Sequence, residues 1–293
     1  MQINIFLDFL ALCDARSFTR AAELRHVSQA AFSRRIQALE TWANATLIER
    51  GSSPVRLTAA GEKLRLSALD ISGKIARTRD DLSGSPHAEH VRIGTSNLLA
   101  GLILPDLWET WSEGRTLSAR LEIGDVYDLV TELAAGSIDL LMVFQCPLIP
   151  LNLNLRQYES KVIMKDTLAP TASQKLIEHG NLNWPGTEKH PVPLMMWPQR
   201  NYFGHLVERI LQSAHTQVIG KRVLESGASE VLRAMTARGY CVSWLPEISI
   251  RRANLNCATI GSKEWTLPLE VTIFRDRDNT SNTLDRLWHN IKI

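Results

Sequence analysis

Gln29, Ser33, Arg34 and Gln37 recur at spacings of three and four along a segment whose Phe32, Ile36 and Leu39 are apolar. On a helix that pattern puts the polar groups on one face and the apolar groups on the other. Amide, hydroxyl and guanidinium groups on such a face can donate to base edges and phosphates in a major groove, with Ala31 and Arg35 in the same stretch. Ser28 suits the N-cap, and Val27 with Phe32 suits the hydrophobic staple that fixes a helix's angle of entry. Arg25-His26-Val27 then reads as a tight turn after a shorter helix beginning near Ser17. An ordinary amphipathic hairpin would look the same, so the flanking residues matter. Leu47 to Gly51 and Ser52 to Thr58 are brief apolar runs about a polar turn, which suits a two-stranded wing presenting Arg50 and Arg56 to phosphates. Between positions 16 and 56 stand seven arginines against Glu23, Glu40 and Glu49, although the whole chain carries only +2. The cationic character is concentrated where a polyanion would dock.

A second group of polar residues lies where strand-like apolar runs give way to helical periodicity. Thr95, Ser96 and Asn97 follow one run, and Gln145 ends another. Asn201 and Tyr202, and then Ser226 to Ser229, open two later helices, while Trp244 and Pro246 follow a third run. Free N–H groups and the helix dipole at such junctions attract ligands. The first junction has no lysine or arginine, which favours a neutral or weakly polar ligand, and Arg200 is the nearest cation.

Other chemistries lack their residues. There is no GxSxG elbow, P-loop, GxGxxG or HExxH, so no catalytic residue is expected. Cysteines 13, 146, 241 and 257 form no CxxC, and His87 and His90 stand in a breaker-rich stretch without a cysteine, so neither a metal nor a cofactor is expected. Cys241 lies in an apolar run beside the second polar group, which makes oxidation there or at a methionine the competing input. No apolar run reaches the roughly 20 residues of a membrane span, and Asp8 interrupts the N-terminal one, so a cytoplasmic protein is expected.

The elements that must position these groups follow from periodicity. Thr58 caps a long helix from about Ala59 to Leu82, in which Leu64, Ala68, Ile71, Ile75, Thr78 and Leu82 form a seam typical of a two-helix contact. Roughly 25 residues give a rod of about 37 Å. Ser83-Gly84-Ser85-Pro86 ends it as a hinge. Beyond, Val91–Gly94, Leu117–Ile123 and Ile138–Phe144 read as strands and Leu98–Trp111 and Asp128–Ala135 as helices. A second set has strands at Val192–Trp197, Arg222–Leu224 and Tyr240–Trp244, with helices at Phe203–Ala214 and Glu230–Ala237. Leu269–Phe274 and a helix Thr283–Ile291 read as a return to the first set. This is α/β alternation.

Phe9, Ser17-Phe18-Thr19, Ala21-Ala22, Val27-Ser28-Gln29, Ala31 to Ser33, Ile36, Leu39-Glu40, Leu47, Arg50, Leu57-Thr58 and Ala60-Gly61 together resemble the LysR-type transcriptional regulators. Ala30, where proline or serine is usual, and Phe32, where an aliphatic is commoner, are departures. Gly239 with Leu245-Pro246 continues the likeness downstream, and Asn201 to Gly204 with Ser229 to Leu232 is similar to the hypochlorite-responsive branch, although Phe203 and Ala228 stand where its methionines are expected.

The resemblance implies a winged helix-turn-helix domain at 1–58, a linker and dimerisation helix at 59–82 using Leu64, Ala68, Ile71 and Ile75, a hinge at 83–90 and an effector domain at 91–293. The last would be two α/β subdomains similar to periplasmic binding proteins, about 91–166 with 267–293, and about 167–266. Implied partners are double-stranded operator or promoter DNA, a small-molecule effector, a second copy in a homodimer or homotetramer, and RNA polymerase. The rival is a ligand-binding module whose N-terminal helices make only protein contacts.

Overall fold

In a computed structural model the described residues are 4–49, 51, 54–82, 90–112, 117–151, 153–178, 182–279 and 281–291. The chain divides into two compact units, Met1–Ala88 with Thr131–Ser137, and Glu89–Val130 with Ile138–Ile293.

The first unit holds α1 (Asn4–Ala15), α2 (Phe18–Leu24), α3 (Gln29–Ala43) and α4 (Ala59–Leu82). Phe9, Leu12, Phe32, Leu39 and Leu47 are buried together in its core. Ser28 caps α3 by accepting the N–H of Ala31 at 3.3 Å, and Asn44 closes it in the left-handed region at φ 48°. The wing is reduced to an Ile48–Leu57 bridge, with Glu49 N donating to Arg56 O at 3.0 Å. The carboxylate of Glu40 accepts from Leu47 N and Ile48 N at 2.7 and 3.2 Å, which anchors the wing's first arm to α3. Thr58 Oγ1 caps α4 through Gly61 N at 3.0 Å. A Cβ on Gly61 would lie 2.1 Å from the Leu47 carbonyl oxygen, so the helix can start there only on glycine.

That docking divides the expected seam. Ala68 is wholly buried in the unit's own core and Leu64 is packed against it, whereas Ile71 and Ile75 are exposed. A side chain already inside one core cannot also be a free contact for a second copy. The side chains of Thr78 and Leu82 lie outside what the structure describes.

The second unit is built on seven strands of one sheet in the order β2-β1-β3-β9-β4-β7, with β8 on β4. Its elements begin with β1 (His90–Thr95), α5 (Asn97–Leu102), α6 (Leu104–Ser112), β2 (Ser118–Ile123), α7 (Val126–Ala134) and β3 (Leu140–Gln145). The single expected helix from Leu98 to Trp111 is two, because Pro105 has no N–H to continue the ladder and serves instead in the first turn of α6. Then come β4 (Tyr158–Ser173), α8 (Gln174–Glu178), β5 (Val192–Met196), α9 (Tyr202–Ser213), β6 (Gly220–Glu225), α10 (Ser229–Ala237), β7 (Ser243–Pro246), α11 (Glu247–Arg251), β8 (Cys257–Thr259), β9 (Leu267–Asp276) and α12 (Asn282–His289).

β1 runs parallel to β2 and β3, as the buried apolar run of β3 requires, and β5 runs parallel to β6. The long antiparallel pair β4 and β9 joins the two halves. Over Tyr158 to Leu168, β4 pairs with β9, and from Leu168 onward it pairs with β7 and β8. β4 had no counterpart among the strands expected from periodicity. Its Glu159, Lys161, Lys165 and Asp166, followed by Pro170, obscure the alternation of a strand.

Candidate functional site

The exposed face of α3 carries Gln29, Arg34 and Gln37, with Ala31 and Ser33 half-buried beside them and Phe32, Ile36 and Leu39 buried behind. Thr19 of α2 donates to Gln29 Oε1 at 3.3 Å, so the amide is oriented before any ligand arrives. Arg56 is exposed on the wing, while Arg50 lies outside the described residues. Arg35 is exposed too, but one of its nitrogens is engaged within the domain. Its Nη1 is 2.9 Å from Asp8 Oδ2, and Arg25 Nε is 2.7 Å from Asp8 Oδ1. Arg35 is therefore oriented by a buried carboxylate of α1 through one nitrogen.

In the second unit two of the strand-to-helix junctions carry side-chain caps. Ser96 caps α5 by accepting Leu99 N at 3.4 Å, and Asn201 caps α9 by accepting Gly204 N at 2.9 Å. A Cβ on Gly204 would lie 1.9 Å from the Pro198 carbonyl oxygen, so this cap also depends on glycine. Asn97 and Arg200 are exposed, and Gln145 is half-buried. Tyr202 crosses between the two halves: its hydroxyl accepts from Cys146 N at 2.8 Å and donates to Ile149 O at 3.3 Å, and its N–H donates to Asp125 Oδ2 at 3.2 Å. Phe203 follows it, 5.6 Å from Phe144 between ring centres. Burial pushes the Tyr202 hydroxyl above its ordinary range and raises Asp125 as well.

Several of the expected ligand residues have their polar atoms engaged within the protein. Thr95 is wholly buried and donates to Met142 O at 2.7 Å. Trp244 is buried, with Nε1 bonded to Trp265 O at 2.9 Å, and Pro246 is buried beside it. Ser229 donates to Glu230, and Ser226 accepts from Ala228 N. These groups hold the walls in place, because an unpaired buried polar atom would be costly. Asp125 was missing from the expected set although its signal is legible: it precedes α7 and accepts Tyr127 N at 3.1 Å as an N-cap would. A recess of about 320 Å³ lined by Leu148, Ile149, Arg209, Gln212, Ser213 and Leu267 is distinct from the junctions. It adjoins the C-terminal half of α9, where the helix presents carbonyls, and is a poorer anion seat than the helix start.

Residues 4–62 match the bacterial regulatory helix-turn-helix protein, lysR family, and residues 84–292 match the LysR substrate binding domain. The chain belongs to the LysR family of transcriptional regulators. Over 298 residues the regulator is 26% identical to the HTH-type transcriptional regulator YjiE of Escherichia coli K12, covering 97% of this chain and 92% of that protein. Among solved structures it is similar to Vibrio fischeri DarR in complex with DNA, at 27% identity and TM-score 0.57 over 99% of this chain and 98% of that one. It shares its fold with HypT of Salmonella typhimurium, a hypochlorite-specific LysR-type regulator, at 24% identity and TM-score 0.57 over 99% and 97% of the two chains. The α3 face thus belongs to a helix-turn-helix DNA-binding domain, and the crossover architecture of β4 and β9 to a two-subdomain effector-binding domain.

Two remaining features bear on the regulator's chemistry. Cys146 and Cys241 are wholly buried and burial raises both thiols, while Cys13 is pushed up to about 12 by the same cause. Among the described residues no group of three or more His, Cys, Asp or Glu could hold a metal ion, and no helix is long and apolar enough to cross a membrane.

Proposed function

We propose that this LysR-type regulator reads DNA with Gln29, Ser33 and Gln37, grips phosphates with Arg34, Arg50 and Arg56, and takes its signal from a small molecule at the junctions of Ser96, Asn97, Gln145, Arg200 and Asn201. The carrying observation is the division of α3: Phe32, Ile36 and Leu39 are fully withdrawn into the core while Gln29, Arg34 and Gln37 stand exposed on the opposite side. A helix divided this way fits a major groove, where amides and guanidinium groups distinguish base pairs. It acts as a cytoplasmic homo-oligomer through Ile71 and Ile75 of α4, with RNA polymerase as a further partner at the promoter. Domain limits near residues 58, 82 and 90 serve this division of labour.

A small molecule is favoured over an oxidant as the signal. The hypochlorite-specific relative suggests oxidant sensing, but Met195, Met196, Cys146 and Cys241 are all buried here, and a raised thiol presents little of the thiolate that oxidants attack. Footprinting on duplexes selected from a random pool tests the DNA reading. Two protected half-sites about one helical turn apart, or a multiple of it, are expected. A single short unrepeated patch would overturn paired reading heads.

A further inference from the structure

Asp8 lies on α1 with its side chain wholly buried in the small core of the first unit. A carboxylate survives there only if both oxygens are paired. Oδ1 takes Arg25 Nε at 2.7 Å and Oδ2 takes Arg35 Nη1 at 2.9 Å, one arginine to each oxygen. Arg25 is the C-cap of α2, at the turn, and Arg35 is on α3. One buried charge therefore joins three helices of the DNA-binding domain. It also sits outside the stretch of residues 16–56 in which seven arginines outnumber three glutamates. Two of those seven are tied to Asp8 through one nitrogen each, although Arg35 is as exposed as its neighbour Arg34 on the reading face and Arg25 is half-buried.

We propose that Asp8 is a positioning residue for DNA recognition that withholds Arg25 and Arg35 from the phosphate backbone, so that sequence-independent attraction stays weak relative to base reading. Phosphate contacts add affinity on every sequence and carry no information, so each arginine withheld raises the fraction of binding that depends on sequence. The guanidinium groups keep their charge; Asp8 fixes where they point.

Fluorescence anisotropy of the full chain on a short duplex of arbitrary sequence, titrated with salt, tests this. Asp8→Asn is expected to bind that duplex more tightly at low salt. Its log K should fall more steeply with log salt, by about 0.9 in slope for each released arginine that reaches a phosphate. That is roughly a further 3.5-fold loss per arginine between about 50 and about 200 mM salt. Adding Arg35→Gln to Asp8→Asn should remove one such increment. If Asp8 merely braces the fold, Asp8→Asn will bind more weakly with an unchanged or shallower slope, and the proposal is overturned. If Asp8→Asn loses its helical circular dichroism, Arg35→Gln alone decides. An unchanged slope supports withholding, and a slope shallower by about 0.9 shows that Arg35 already meets a phosphate and overturns it.

Discussion

Gln29 and Arg34 share one exposed face of α3, yet their loss should be felt differently. Gln29→Ala or Ser33→Ala should cost about 1 to 3 kcal/mol on a selected sequence and little on an arbitrary one, because a base-edge contact is lost. Arg34→Ala should weaken both complexes and flatten the salt dependence, since a phosphate contact is lost. Equal losses for the two kinds of variant in an anisotropy titration would refute this division. Asp166 makes a residue-scale prediction of another kind. Its carboxylate is buried on β4, accepts Ile248 N on both oxygens at 3.1 and 3.2 Å and faces Arg251 at 3.7 Å. Burial outweighs these partners and pushes it up from 3.8 to about 6. A carboxyl raised by folding binds its proton more tightly in the folded state. Its stabilising contribution is complete below about pH 3.8 and is lost as pH rises through about 6, by up to about 3 kcal/mol. Asp166→Asn should therefore match wild type in urea unfolding near the acid end and exceed it at neutral pH. A variant less stable than wild type at neutral pH would mean that the ion pair with Arg251 dominates.

At the scale of elements, α4 leaves Ile71 and Ile75 exposed at 39% and 47%, beyond the point where Ala68 enters the core. Ile71→Asp should impair self-association while leaving the fold intact, because a carboxylate in an apolar contact must be neutralised or escape. Sedimentation velocity should show a smaller species, and a wild-type profile would place the contact elsewhere. α9 reaches across to the Cys146–Ile149 turn through one hydroxyl. Tyr202→Phe leaves the buried Cys146 N–H unpaired, which should cost about 1 to 3 kcal/mol in chemical denaturation. Element existence was largely legible beforehand, since periods of 3.6 and 2 survive in a single sequence. The break between α5 and α6 is legible in Pro105, whereas β4 is obscured by charges tolerated only because neighbouring strands supply its ladder.

For the whole molecule, the junction residues are proposed as the regulatory input, and a ligand there at about a hundred times its Kd should stabilise the effector domain by about 2.7 kcal/mol. Ser96→Trp should abolish that thermal shift and the response to the inducing signal while DNA affinity stays near wild type. An undiminished response in a reporter assay would shift the input to oxidation. The sequence by itself determined the helix-turn-helix, the polar face of α3, the caps at Ser28, Thr58, Ser96 and Asn201, and the α/β alternation, because each depends on residues within a few positions of one another. Only the tertiary structure decided that Arg35 answers to Asp8, that Ala68 belongs to a core, that Trp244 and Thr95 are already bonded, and that Asp125 and Cys146 meet Tyr202. Those bonded pairings span 21 to 77 residues of chain, and no local period records which distant group will satisfy a buried charge or N–H.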